Sequence, residues 1–173
     1  MNYFEFYKIP ISFVVDAAAL KKQFYQYSKE YHPDFYTLES AEKQAEILHL
    51  STLNNEAYQT LKDFDRRMKY VLELKQVLGE EGKNKIPQDF LMEMMEINEE
   101  VMELQFDFDQ QVYDKAVDKM KSMESDLYNT VQPLIENFDE AKTSENDWEQ
   151  IKEYYLKKRY LLRLQSNLEK QLP

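Results

Sequence analysis

The scarcity and placement of glycine constrain this chain more than any other feature. Only two of 173 residues are glycine, and both lie in the stretch Gly79, Glu80, Glu81, Gly82, Lys83, Asn84, Lys85, which holds no apolar residue. Tight hairpin turns draw on glycine for backbone conformations that other residues resist. A chain that lacks it everywhere else, and is rich in Leu, Glu, Lys, Gln and Met, favours helix nearly throughout. The expectation is an all-α protein with two modules, residues 1–78 and 87–173, joined by a linker over 79–86. Each module is long enough for a core of its own.

Charge and composition narrow the function classes. A net charge of -11 repels nucleic acid and anionic membrane, so neither is expected as a partner, although a local basic patch can still dock on an acidic protein. With no cysteine, disulfides and thiolate metal sites are excluded. No apolar run approaches the roughly 18 residues of a membrane span, and none follows a basic N-terminal stretch, so a cytoplasmic location is expected.

In the first module, Tyr3, Phe4, Phe6 and Tyr7 are too aromatic for a free tail, and Pro10 stops whatever helical turn they form. Asp16 is an N-cap for a helix opened by Ala17, Ala18 and Ala19. At about 100° per residue, Leu20, Phe24, Tyr27 and Tyr31 share one side of it, while Lys21, Lys22, Tyr25 and Lys29 share another. Pro33 biases His32 away from the helical region and cannot extend the helix itself, so His32 and Asp34 are presented on a turn. The next helix opens at Ser40 and places Ile47, Leu50, Leu53, Ala57, Tyr58, Leu61 and Phe64 on one face, to pack antiparallel on the first. Asn54 falls in the middle of that face and needs buried partners, whereas His49 faces solvent. With no proline near Asp63, the helix is expected to bend gently into Arg67, Tyr70, Val71, Leu72 and Leu74 rather than break.

This arrangement resembles the J-domain, the co-chaperone module whose His-Pro-Asp loop switches on the ATPase of a DnaK-type chaperone. The resemblance rests on the basic helix before His32, Pro33 and Asp34, on Asn55, Glu56, Ala57, Tyr58 and Leu61 after them, and on Arg67 with Tyr70. It implies that His32, Pro33, Asp34, Lys21, Lys22, Tyr25 and Lys29 bind the chaperone. The family usually has an aliphatic residue where Asn54 stands.

Three helical segments follow the linker, at about 87–106, 109–138 and 144–172. Pro87 suits a first turn, Ser144 and Asp147 form a capping box, and Pro133 should kink or end the middle segment. Short connections suggest an up-down-up bundle. Phe90, Met94, Ile97, Asn98, Val101 and Leu104 suffice to face its core. Leu91, Met92, Met95, Met102 and Phe106 lie on or beside another side, among Glu96, Glu99 and Glu103. That surplus reads either as a recognition surface or as a wide core face with a solvated acidic edge. On the last helix Ile151, Tyr154, Tyr155, Leu161, Leu162 and Leu168 make the core side, and Tyr160 projects nearly opposite.

A J-domain followed by such a bundle resembles the HscB family, the co-chaperones of iron-sulfur cluster assembly, over nearly the whole chain, including Asn2, Tyr3, Phe4 and Phe90, Leu91, Met92, Glu93. The chain has neither a glycine- and phenylalanine-rich segment nor a cysteine zinc motif, so it does not look like a general-purpose DnaJ. The resemblance implies an L-shaped pair of modules and a scaffold-binding patch of Leu91, Met92, Met95, Glu96, Glu99, Glu103 and Tyr160. It implies a monomeric adaptor between a DnaK/HscA-type chaperone and the iron-sulfur scaffold protein. No cofactor, metal or catalytic residue is expected: His32 and Asp34 have no nucleophile, third histidine or glycine-rich phosphate loop to work with. A J-domain adaptor for another client and a purely structural helical protein are the alternatives.

Overall fold

The computed structural model describes residues 1–80 and 82–173, so the expected linker includes one position, Glu81, outside the described residues. Among the described residues there are seven α-helices, one turn of 3-10 helix and no strand. The chain divides into two compact units, Met1–Leu74 and Lys75–Pro173. Residues 75–78, expected in the first module, therefore group with the second, where Lys75 forms an ion pair with Glu140.

In the first unit, α1 (Tyr3–Tyr7) is closed at its start by a reciprocal Asn2–Glu5 capping box and at its end by Lys8 in the left-handed region. It buries Phe4, Phe6 and Tyr7. The second helix, α2 (Ala17–Glu30), starts at Asp16, whose carboxylate accepts the Ala19 N–H. The third, α3 (Ala41–Leu61), starts at Ser40. Stacking of Phe24 on Tyr58, 4.2 Å between centroids, and a hydrogen bond from Asn54 to Ser28 show that α2 and α3 run antiparallel, since one residue number rises as the other falls.

Asn54 is 1 % exposed, yet its amide is fully partnered. Its Oδ1 accepts the Tyr7 hydroxyl at 2.7 Å, and its Nδ2 donates to the Phe24 carbonyl and the Ser28 hydroxyl, each at 3.1 Å. One side chain thereby ties α1, α2 and α3 together. Burial pushes the Tyr7 phenol well above its ordinary pKa, with the neighbouring Tyr58 and Tyr27 adding to the shift, so it remains a proton donor to Asn54.

The expected gentle bend after Leu61 is instead a break. Lys62 and Asp63 leave the helix, the Asp63 carboxylate accepts the Arg66 N–H, and α4 (Phe64–Leu74) begins anew. An N-capping aspartate ends one helix and opens the next without proline. Arg67 explains why the corner holds. It is 7 % exposed, and its Nε donates to the Phe13 carbonyl at 2.8 Å while Nη1 donates to the Leu61 carbonyl, one of the acceptors freed at the end of α3. Burial lowers its pKa, offset in part by Asp63. Tyr70 stacks on Tyr3 at 4.5 Å and accepts the Tyr3 N–H. The Arg67 and Tyr70 pair is thus a clamp on the ends of neighbouring segments.

The second unit holds α5 (Gln88–Glu103), α6 (Gln110–Glu136) and α7 (Glu145–Glu169), each packed on the other two. The Ser144–Asp147 capping box opens α7, and Pro87 caps α5 without a side-chain bond. Pro133 does not end α6, which continues to Glu136. It lies one turn from the end and costs a single intrahelical donor, its own missing N–H, while its carbonyl still accepts the Asn137 N–H at 3.2 Å. The core contains Phe90, Met94, Ile97 and Val101 of α5 and its C-cap Leu104, with Leu161, Leu164 and Leu168 of α7. Leu164 takes the fully buried place expected of Leu162, which is half-buried.

Candidate functional site

Two exposed surfaces carry the residues singled out in the sequence, one on each unit. On the first, the backbone of His32 is extended and Pro33–Tyr36 forms a single 3-10 turn, so the loop protrudes from the end of α2. The Asp34 N–H donates to His32 Nδ1 at 3.3 Å. The His32 and Asp34 side chains are 51 % and 83 % exposed, with Nδ1 and Oδ2 3.9 Å apart.

The turn is exposed but anchored. The Tyr36 hydroxyl donates to the Glu30 carbonyl at 2.7 Å, fixing the loop to the end of α2. Gln44 Nε2 donates to the Thr37 and Glu39 carbonyls at 3.2 and 2.9 Å, fixing it to the first turn of α3. These bonds hold backbone at both sides of the turn and leave the His32 and Asp34 side chains directed to solvent. Lys21, Lys22, Tyr25 and Lys29 are all exposed on α2, while Leu20 and Tyr27 are buried on its other side. The structure thus places every residue of the basic face and the turn on the surface of one helical hairpin.

On the second unit, Met92 and Met95 are 61 % and 60 % exposed, and Glu96, Glu99 and Glu103 are exposed beside them. Leu91 is half-buried at the edge of this face. Tyr160 departs from expectation. Instead of projecting opposite the core it is half-buried, packs against the α5–α6–α7 core, and meets the Phe90 ring edge-on at 6.2 Å. The reason is that α7 packs on both α5 and α6, so its inward sector is wider than a single apolar stripe. The Arg163 guanidinium lies 5.2 Å from the Tyr160 ring centroid. Tyr160 therefore supports the α5 edge through Phe90. Among the described residues, no group of three or more His, Cys, Asp or Glu could hold a metal ion, and no helix is long and apolar enough to cross a membrane.

These features define an all-helical protein in which a J-domain, with its His-Pro-Asp turn exposed at the end of a basic helix, is followed by a three-helix bundle. Residues 86–169 match the family model of the HSCB C-terminal oligomerisation domain. The co-chaperone protein HscB homolog of Vibrio cholerae serotype O1 strain M66-2 is 40% identical over 103 residues, which is 58% of this chain and 60% of that one. The homolog of Photobacterium profundum is 28% identical over 98% of this chain and 96% of its own. Two solved structures superpose on nearly the full length at 27% identity. Chaperone HscB from Vibrio cholerae has a TM-score of 0.72 and covers 98% of this chain and 96% of its own, and human co-chaperone protein HscB has 0.78, covering 98% and 81%. The chain is thus similar to HscB co-chaperones over nearly its whole length.

Proposed function

We propose that the chain is a non-catalytic adaptor of the cytoplasm that stimulates the ATPase of a DnaK/HscA-type chaperone and delivers to it the iron-sulfur scaffold protein. The turn at His32, Pro33 and Asp34 is the stimulating element, approached along the Lys21, Lys22, Tyr25 and Lys29 face. The scaffold docks on the bundle at Leu91, Met92, Met95, Glu96, Glu99 and Glu103, with Tyr160 positioning the α5 edge. The observation that carries this reading is the His32–Asp34 turn, anchored through Tyr36 and Gln44 while its side chains are directed to solvent.

The test is chaperone ATP hydrolysis with and without the chain. His32→Gln should abolish stimulation while leaving helical content unchanged, because the imidazole is half exposed and lies outside the core. Equal stimulation by variant and parent would remove the turn from the mechanism. Stimulation without capture of purified scaffold protein would favour an adaptor for a different client.

A further inference from the structure

The apolar face of α5 continues beyond the patch just described. Met92, Met95, Glu99, Met102 and Phe106 follow one another at alternating spacings of three and four residues, the pattern of a coiled-coil seam. At about 100° per residue they occupy one sector opposite Phe90, Met94, Ile97, Val101 and Leu104, which face the core. Met102 is 49 % exposed and Phe106 is 88 % exposed. Although α5 ends at Glu103, the Phe106 N–H still donates to the Glu103 carbonyl at 3.1 Å, so the turn that carries Phe106 keeps its place. The seam spans about 20 Å at 1.5 Å per residue. None of it is needed to pack the bundle, because the opposite side of α5 already faces α6 and α7.

We infer that Met102 and Phe106 extend the docking face of α5 into one continuous seam, and that its occupant is the client's apolar ridge flanked by Lys or Arg side chains. This rests on the reading that the bundle binds the scaffold protein at Met92 and Met95. Charge selects the occupant. Glu96, Glu99, Glu100 and Glu103 are exposed within or beside the seam. A second copy laid on the same face would bring these carboxylates together in a chain already at -11, whereas a basic flank neutralises them. Phe106 is the terminal anchor, since an aromatic ring is the side chain that gains most from leaving water at an interface.

Titration calorimetry of the full chain with purified iron-sulfur scaffold protein tests this, using Met102→Ser with Phe106→Ser, Met92→Ser with Met95→Ser, and Leu48→Ser on the other unit as a matched exposed control. The Met102 and Phe106 pair should weaken binding by about tenfold or more, with unchanged circular dichroism, and the Leu48 variant should bind like the parent. The parent's affinity should fall as salt rises. If the Met92 and Met95 pair loses binding while the Met102 and Phe106 pair does not, the seam stops at the first patch and the extension is wrong. If the parent does not bind scaffold at all, the underlying reading fails and takes the extension with it. A parent dimer in sedimentation that Phe106→Ser disperses would replace the client with a second copy, and salt-independent binding would remove the basic flank.

Discussion

The hydrogen-bonded centre of the first unit gives a stability prediction whose size can be worked from its partners. Asn54→Ala removes one accepted and two donated bonds. Few groups are orphaned by it: the Tyr7 hydroxyl retains the Asn54 carbonyl at 3.1 Å, and the Phe24 carbonyl retains the Ser28 hydroxyl at 2.8 Å. The cost is therefore close to three net hydrogen bonds at about 1 kcal/mol each, or about 3 kcal/mol. Tyr7→Phe removes a single donor but leaves Asn54 Oδ1 buried without one, for about 2 kcal/mol. The shared bond is lost only once in the double variant, which predicts a coupling of about 1 kcal/mol. Hydrogen exchange at the α2 and α3 amides, with each variant measured under the same conditions, reads these differences where they arise. A coupling of zero, or a neutral Tyr7→Phe, would show that the bond between the two side chains contributes nothing and that packing alone sets the α1–α2–α3 contact.

Reversing Lys21, Lys22 and Lys29 to glutamate should weaken chaperone engagement without unfolding α2, since all three are exposed, and the parent interaction should weaken with salt; surface plasmon resonance across a salt series checks both. The raised Tyr7 pKa sets an alkaline limit. The folded state holds this proton where the unfolded state, at the ordinary value near 10, releases it, so the contribution is complete below about pH 10 and is lost as pH rises above it. Tyr7→Phe should flatten that part of a denaturation-against-pH profile. Tyr160→Ala should lower bundle stability by about 1–3 kcal/mol as well as scaffold affinity, because the ring packs on the core beside Phe90, whereas Met92→Ala should change affinity alone; thermal unfolding and calorimetry on the same samples separate the two effects.

Much of the fold was legible because its signals are local. Asp16, Ser40 and Ser144 cap helices by accepting the N–H three residues ahead, and such caps need only the right residue beside an apolar-periodic run. The basic face and the turn were legible for the same reason. What escaped depended on neighbours. Asp63 acts as a helix start only because Arg67 closes the broken end of α3 through the Leu61 and Phe13 carbonyls, and Phe13 is distant in sequence. Tyr160 falls off-core on a wheel drawn for one apolar stripe, yet a helix between two partners buries a wider sector. The partners of Asn54 come from two other segments, α1 and α2, so the sequence could state the need for them but not their identity.

The two surfaces differ in how their residues are freed for binding. In the turn, the restraints fall on backbone carbonyls at Glu30, Thr37 and Glu39, through Tyr36 and Gln44, so the shape of the loop is held by groups other than the ones it presents. Such an arrangement limits the entropy lost on docking while the His32 and Asp34 side chains remain available. On α5 the restraint is the helix itself, whose core side is already filled. Its methionines can then adapt to a partner's shape without disturbing the bundle, and the glutamates beside them restrict which partners gain from doing so. Under the proposed function, preorganised backbone suits the unit assigned to trigger a conformational response in a chaperone, and an adaptable apolar seam with a fixed charge sign suits the unit assigned to hold a client.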